Sequence, residues 1–151
     1  MKVTDEFEPE DLGEFIEDLR LGKVMPYMKS LPVPKSQEGQ QVLKLVANNY
    51  DKEVHRIKKD AVVFFHAPWC GHCKELHKPF LELASMMKKD RQSAAKFKTM
   101  ESEVMQKCAH SSRFNIDGFP SIVVYRNKTE IGRMVGNQGK DALLAFFTQH
   151  A

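Results

Sequence analysis

Cysteine is scarce. Three cysteines in 151 residues exclude a small fold stapled by disulfides. Long apolar runs are missing too. The longest, Ala61–Trp69, is interrupted by His66 and falls far short of the roughly 20 residues of a membrane-spanning helix. No basic stripe with interleaved aromatics is present, which argues against nucleic acid as a partner. Neither an internal repeat nor a low-complexity tract occurs. Met1-Lys2 leads into Val3-Thr4-Asp5-Glu6 without an apolar core, and Thr148-Gln149-His150-Ala151 carries no retention signal. On this reading the chain is either cytosolic or a piece of a longer protein.

What is present suits one folded domain with a short extension. Hydrophobic residues make up 42% and charged residues 28%, enough apolar material for one core. The net charge of +3 conceals an asymmetry. Residues 1–22 hold eight acids against two bases, a net −6, leaving +9 on the rest. The positive charge is scattered, as on a solvated surface.

Leu12, Phe15, Ile16 and Leu19 follow the spacing of one helix face, with acids early in the helix, where its dipole favours them. Gly22 ends that helix. Pro26, Pro32 and Pro34 then mark a stiff extended linker. A lone amphipathic helix in this place either belongs to a missing upstream domain or docks on the downstream one. The expected boundaries are 1–38 for helix plus linker and 39–151 for the main domain.

From Gln40 onward strands and helices alternate. Val42–Val46 reads as a short strand and Tyr50–Ile57 as a helix. Ala61–Phe65 has the continuous apolar character of a strand buried on both faces. Gly71–Lys89 is a helix that Pro79 should kink. Ala94–Met100 reads as a weaker strand and Val104–Phe114 as a helix. Ser121–Tyr125 and Ile131–Val135 form a hairpin across Arg126–Glu130, and Ala142–Phe147 closes the chain as a helix. The fold class is α/β, with order β-α-β-α-β-α-β-β-α.

The chemistry is concentrated in Cys70-Gly71-His72-Cys73, between the buried strand and the helix. Two cysteines at i and i+3 on a helix start can close a small disulfide. The free N–H groups and positive dipole end favour the Cys70 thiolate. A thiolate is both the attacking and the leaving species in disulfide exchange. Cys70 is therefore the expected nucleophile and Cys73, one turn inside, the shielded resolving thiol. His72 adds a possible positive charge beside them. Two alternatives remain: a permanent structural disulfide, or zinc held by Cys70, Cys73, His77, Cys108 and His110. Cys108-Ala109-His110 makes a poor second ligand pair, because residues two apart on a helix lie about 200° from each other.

Ala67-Pro68-Trp69-Cys70-Gly71-His72-Cys73-Lys74 resembles the active-site signature of the protein disulfide isomerase family. Gly118-Phe119-Pro120-Ser121 is similar to that family's loop opposite the active site. Phe15–Asp18, Pro26–Ser30 and Pro32–Pro34 look like the end of its substrate-binding domain and the linker before its C-terminal catalytic domain. The resemblance implies a thioredoxin-like fold, a central mixed sheet flanked by helices. It implies a cis Phe119–Pro120 peptide and a substrate-binding face made by Trp69, Gly118, Phe119 and Pro120. By the same resemblance Gly71 and His72 belong to the catalytic motif with the two cysteines. The implied activity is oxidation, reduction and isomerisation of disulfides in folding secretory proteins of the endoplasmic reticulum lumen. Partners would be unfolded or partly folded cysteine-containing clients, with glutathione or an oxidase as redox partner. No cofactor, metal or membrane span is implied.

The chain departs from the family pattern at several points, among them His66, where tyrosine is common, and Asp90–Glu101, which carries a few extra residues. Phe64 stands six residues before Cys70, where the family has a glutamate that receives the Cys73 proton. Lys98 looks like that glutamate's basic partner. Gln138 replaces an arginine that helps to ionise Cys73, with Arg133 a candidate substitute, and His66 is a candidate stand-in base. Slow attack by Cys73 is the expected consequence, and Phe64→Glu should accelerate it. A client-binding or chaperone module with slow exchange, and a cytosolic thioredoxin-type reductant, are the competing readings. His72, where the latter family has proline, argues against the second.

Overall fold

The structure, a computed structural model, describes residues 9–23, 31–55, 58–103 and 115–150. Helix α1 (Pro9–Arg20) is followed by a short strand β1 (Leu43–Leu45) and a π-helical turn (Asp51–His55). Next come β2 (Asp60–His66), α2 (Gly71–Lys89), α3 (Arg91–Lys96) and β3 (Phe97–Glu103). Strands β4 (Ser121–Arg126) and β5 (Thr129–Val135) and helix α4 (Gly139–His150) complete the order. The expected helix at Val104–Phe114 lies outside the described residues, as does Cys108.

The strands form one mixed sheet in the order β1-β3-β2-β4-β5. β1 and β2 both run parallel to β3, while β4 is antiparallel to β2 and to β5. The apolar run at Ala61–Phe65 explains why β2 is central: it can be buried on both faces, and every one of its residues through Phe65 is buried. Val62 and Phe64 face a cluster with Leu76, Phe80 and Leu83 of α2 and Leu143 and Phe147 of α4. Ala61, Val63 and Phe65 face Leu45, Tyr50, Val54, Met100 and Ile116 on the other side.

Three expectations need correction. Ala94–Lys96 are helical, and the strand begins only at Phe97. Asp90 terminates α2 and its carboxylate accepts from the Ser93 N–H at 2.8 Å, so it caps the new helix, which Ala94 and Ala95 then favour. Of the expected helix at Tyr50–Ile57, the described residues form a π-helical turn at Asp51–His55, and 56–57 lie outside them. The hairpin loop is two residues rather than five: Arg126 pairs with Thr129, and Asn127 and Lys128 both take positive φ, 49° and 71°. Two left-handed residues in succession match the right-handed twist of the flanking strands, and asparagine tolerates that conformation best.

The Leu12, Phe15, Ile16 and Leu19 stripe of α1 is exposed, so it does not dock on the described part of the sheet domain.

Candidate active site

The chain leaves β2 at His66 and makes a turn closed by the Cys70 N–H to the Ala67 carbonyl at 3.1 Å. That turn delivers Cys70 to the N-cap of α2. Its backbone is extended (φ −87°, ψ 110°), and its Sγ accepts from the Cys73 N–H at 3.2 Å. The sulfur thus occupies the place a capping oxygen would take, over the free N–H groups of the first turn. No acid stands in that turn to offset the dipole. Cys70 and Cys73 are disulfide-bonded, with Cα atoms 5.3 Å apart. Both are buried, at 6% and 2% exposure. Their sulfurs are committed to each other, so they are not free to ligate zinc, and His77 is engaged elsewhere. Among the described residues no cluster of histidine, cysteine or carboxylate is arranged to hold a metal ion.

Gly71 is exposed, and a Cβ there would touch nothing within 4 Å. The His72 ring is exposed, with Nδ1 3.4 Å from Glu75 Oε2. Glu75 also accepts from Asn137 Nδ2 at 3.0 Å, which ties the helix start to the loop after β5.

Trp69 is 69% exposed and meets Phe119 edge to face. Phe119 is half-buried and packs against both apolar clusters. The Phe119–Pro120 peptide is cis, as the resemblance implied. The Pro120 carbonyl accepts from the Gly136 N–H at 2.8 Å, and the Gly118 carbonyl accepts from Ser121 Oγ at 2.6 Å. Gly136 takes φ +83°, a conformation that suits glycine. A Cβ on Gly118 would press on Val135 at 3.3 Å. Ser121 pairs with Phe65 near the end of β2, so residues 118–120 and 67–70 emerge from the same end of the sheet. The structure therefore brings Trp69, Gly118, Phe119 and Pro120 to the same end as the cysteines.

Phe64 is fully buried in the same apolar cluster as Cys70 and Cys73, stacked on Phe80 at 5.0 Å. Its expected cationic neighbour is elsewhere. Lys98 is in register with Ala61, so it projects from the opposite face of the sheet, and its Nζ lies 2.8 Å from Glu53. Arg133 is no substitute for the missing arginine either. It is in register with Val123, on that same opposite face, where it binds both oxygens of Glu130 and the Asn115 carbonyl. Gln138 is exposed and donates to the Val135 carbonyl at 3.1 Å.

Beside Phe64 lies a cluster in which His66, the candidate stand-in base, and His77, a candidate zinc ligand, are joined by Glu101, which sequence reasoning missed. Glu101 of β3 is in register with Phe64, and its Oε2 is 2.8 Å from His77 Nε2 and 4.0 Å from His66 Nε2. The Phe64 ring stacks on His66 at 5.3 Å and lies 5.9 Å from His77. Burial pushes the His66 imidazole below its ordinary pKa, against the opposing pull of Glu101 and Glu103. The signal in sequence was the i, i+4 spacing of Cys73 and His77. Only the strand register could add Glu101.

Comparisons with known proteins agree with this architecture. The chain is 34% identical over 151 residues to a probable protein disulfide-isomerase A4 of Caenorhabditis elegans, covering 97% of this chain and 24% of that protein. It is 38% identical over 120 residues to a protein disulfide-isomerase of Humicola insolens, covering 77% of this chain and 22% of that protein. The chain thus spans about a quarter of the length of the curated relatives it matches. The crystal structure of a Malassezia sympodialis thioredoxin superposes with a TM-score of 0.60 at 26% identity, over 80% of this chain and 96% of that one. The thioredoxin family model matches residues 41–149, and with the mixed sheet and the helix-capping cysteine pair this establishes that the chain belongs to the thioredoxin family.

Proposed function

We propose that this chain is a thiol–disulfide oxidoreductase and isomerase acting on unfolded or partly folded proteins that contain cysteine. One observation carries the reading: a Cys70–Cys73 disulfide whose first sulfur caps α2 and accepts the Cys73 N–H. In the reduced state that position favours the Cys70 thiolate. Cys70 attacks a client disulfide, a mixed disulfide forms, and Cys73 displaces the client. Run backward, the same steps oxidise a client dithiol. Glutathione or an oxidase restores the enzyme.

Trp69, Gly118, Phe119 and Pro120 are the proposed docking face for an extended client segment, with His72 and Gly71 flanking the thiols. The family relatives support the endoplasmic reticulum lumen as the place of action. Residues 1–38 are the last helix and linker of a preceding domain, and 39–151 are the catalytic domain. The exposed apolar stripe of α1 supports that division.

Phe64 favours a second reading, a client-binding module with slow exchange, since a phenyl ring takes no proton. Reactivation of a disulfide-scrambled reporter protein by the reduced chain separates the two. Catalysis by wild type, lost in Cys70→Ser, supports the isomerase. Stable mixed disulfides on Cys70 without reactivation support the binding module.

A further inference from the structure

Release of a client requires Cys73 to lose a proton inside an apolar cluster, where Phe64 offers no acceptor. We propose that His77, oriented by Glu101, takes the Cys73 proton, so that a histidine–carboxylate pair on the helix and the neighbouring strand replaces a carboxylate at position 64. The inference rests on the oxidoreductase reading above.

His77 lies four residues after Cys73 in α2, one turn along the same helix face, where Cβ atoms are about 5–6 Å apart. Its Nε2 is 2.8 Å from Glu101 Oε2. An ionised carboxylate only accepts, so Nε2–H donates and the neutral ring carries its basic lone pair on Nδ1. Nδ1 is the ring nitrogen that Glu101 leaves free. This is the arrangement of a general base held in one tautomer by an acid behind it. Imidazole is suited to the task because its proton affinity is matched to neutral pH.

The surroundings favour His77 over His66. His66 Nε2 is 4.0 Å from the shared Glu101 oxygen, and burial holds His66 neutral. Glu101 therefore bonds to His77 rather than to His66. Glu103 of β3 and Lys44 of β1 act on His66 with opposite signs.

The step balances without a further reagent. The Cys73 Sγ–H proton moves to His77 Nδ1, directly or through one water. The Cys73 thiolate attacks Cys70 Sγ, the Cys70–Cys73 bond forms, and the Cys70–client bond breaks. The client sulfur leaves as a thiolate and takes a proton from the imidazolium or from solvent. The client disulfide is reduced and the enzyme dithiol oxidised.

The test is stopped-flow reaction of the reduced full chain with a fluorophore–quencher disulfide peptide, from pH 5.5 to 9. The first phase reports mixed-disulfide formation at Cys70, and the second reports release by Cys73. His77→Gln should leave the first phase unchanged and slow the second about tenfold or more at pH 7. Its rate should converge on wild type near pH 9, where hydroxide supplies the base. Glu101→Gln, which keeps an acceptor for the ring, should shift the release profile along the pH axis with the first phase intact. Equal release in wild type and His77→Gln overturns the inference. So does a slowing in His77→Gln that is uniform from pH 5.5 to 9, which marks a structural effect. Loss of the first phase in wild type would instead overturn the oxidoreductase reading itself.

Discussion

Trp69 and Phe119 meet edge to face with ring centroids 5.7 Å apart, across the gap between the turn before α2 and the loop before β4. The contact joins two segments about fifty residues apart in sequence into one apolar surface next to Cys70. Phe119 is anchored in the core from below, while most of Trp69 faces solvent. An exposed tryptophan held in place by a half-buried phenylalanine offers a large contact area at low ordering cost.

Trp69→Ala should therefore weaken client binding more than it weakens the fold. An aromatic contact is worth about 0.5–1.5 kcal/mol, about two- to tenfold in affinity. Stability should change by about 0.5 kcal/mol or less, since the side chain is exposed. Peptide binding to a Cys70→Ser, Cys73→Ser background, alongside urea unfolding, checks both. Unchanged binding would remove Trp69 from the docking face.

Reduced protein treated with limiting iodoacetamide near pH 6 should be alkylated first at Cys70. The N-cap position places its sulfur at the positive end of α2 with the Cys73 N–H as donor, while Cys73 is turned into the core. Peptide mapping reads the order of labelling. Earlier labelling of Cys73 or Cys108 would overturn the assignment of the nucleophile.

The nucleophile was legible because it depends on local chemistry: two cysteines at helical spacing after a strand. The core strand was legible for the same kind of reason, because Ala61–Phe65 has no polar position to turn outward. The short helix at Arg91–Lys96 was missed although Asp90 was a visible cap, since the alternative strand pattern overlapped it. The proton acceptor was not legible. Lys98 and Glu101 are three apart on one strand, and a period of two sends them to opposite faces. Which of them meets Phe64 depends on the β2–β3 register, and that is set by pairing across the sheet rather than by either segment alone.

Acid should destabilise the fold through His66. Its folded pKa lies below its unfolded value because burial penalises the charged ring. The unfolded chain therefore binds the proton first. Stability is complete above the ordinary imidazole pKa and is lost as pH falls from there through the folded value. Urea midpoints of wild type should fall between pH 7 and pH 5 by more than those of His66→Gln. Parallel curves for the two proteins would show that His66 does not carry this loss.

Phe64→Glu tests the register from the other side. A carboxylate here was expected to accept the Cys73 proton and so speed release, with Lys98 as the cation that offsets the cost of burying it. Instead the residue in register with it on that face is Glu101, and the Phe64 ring gives up its stacking on Phe80 and His66. Losing a buried phenyl costs about 3–5 kcal/mol. The carboxyl adds a pH-dependent penalty. Desolvation and Glu101 both raise its folded pKa above the unfolded value of about 4.3. The unfolded chain then releases its proton first as pH rises, so stability falls from about pH 4.3 upward until the folded group also ionises. Phe64→Leu carries only the packing loss and serves as the reference. The gap between the two variants in urea should be small near pH 4.5 and widen toward pH 8. A gap that stays constant would mean that the new carboxylate has found a cationic partner on its own face, the role first expected of Lys98.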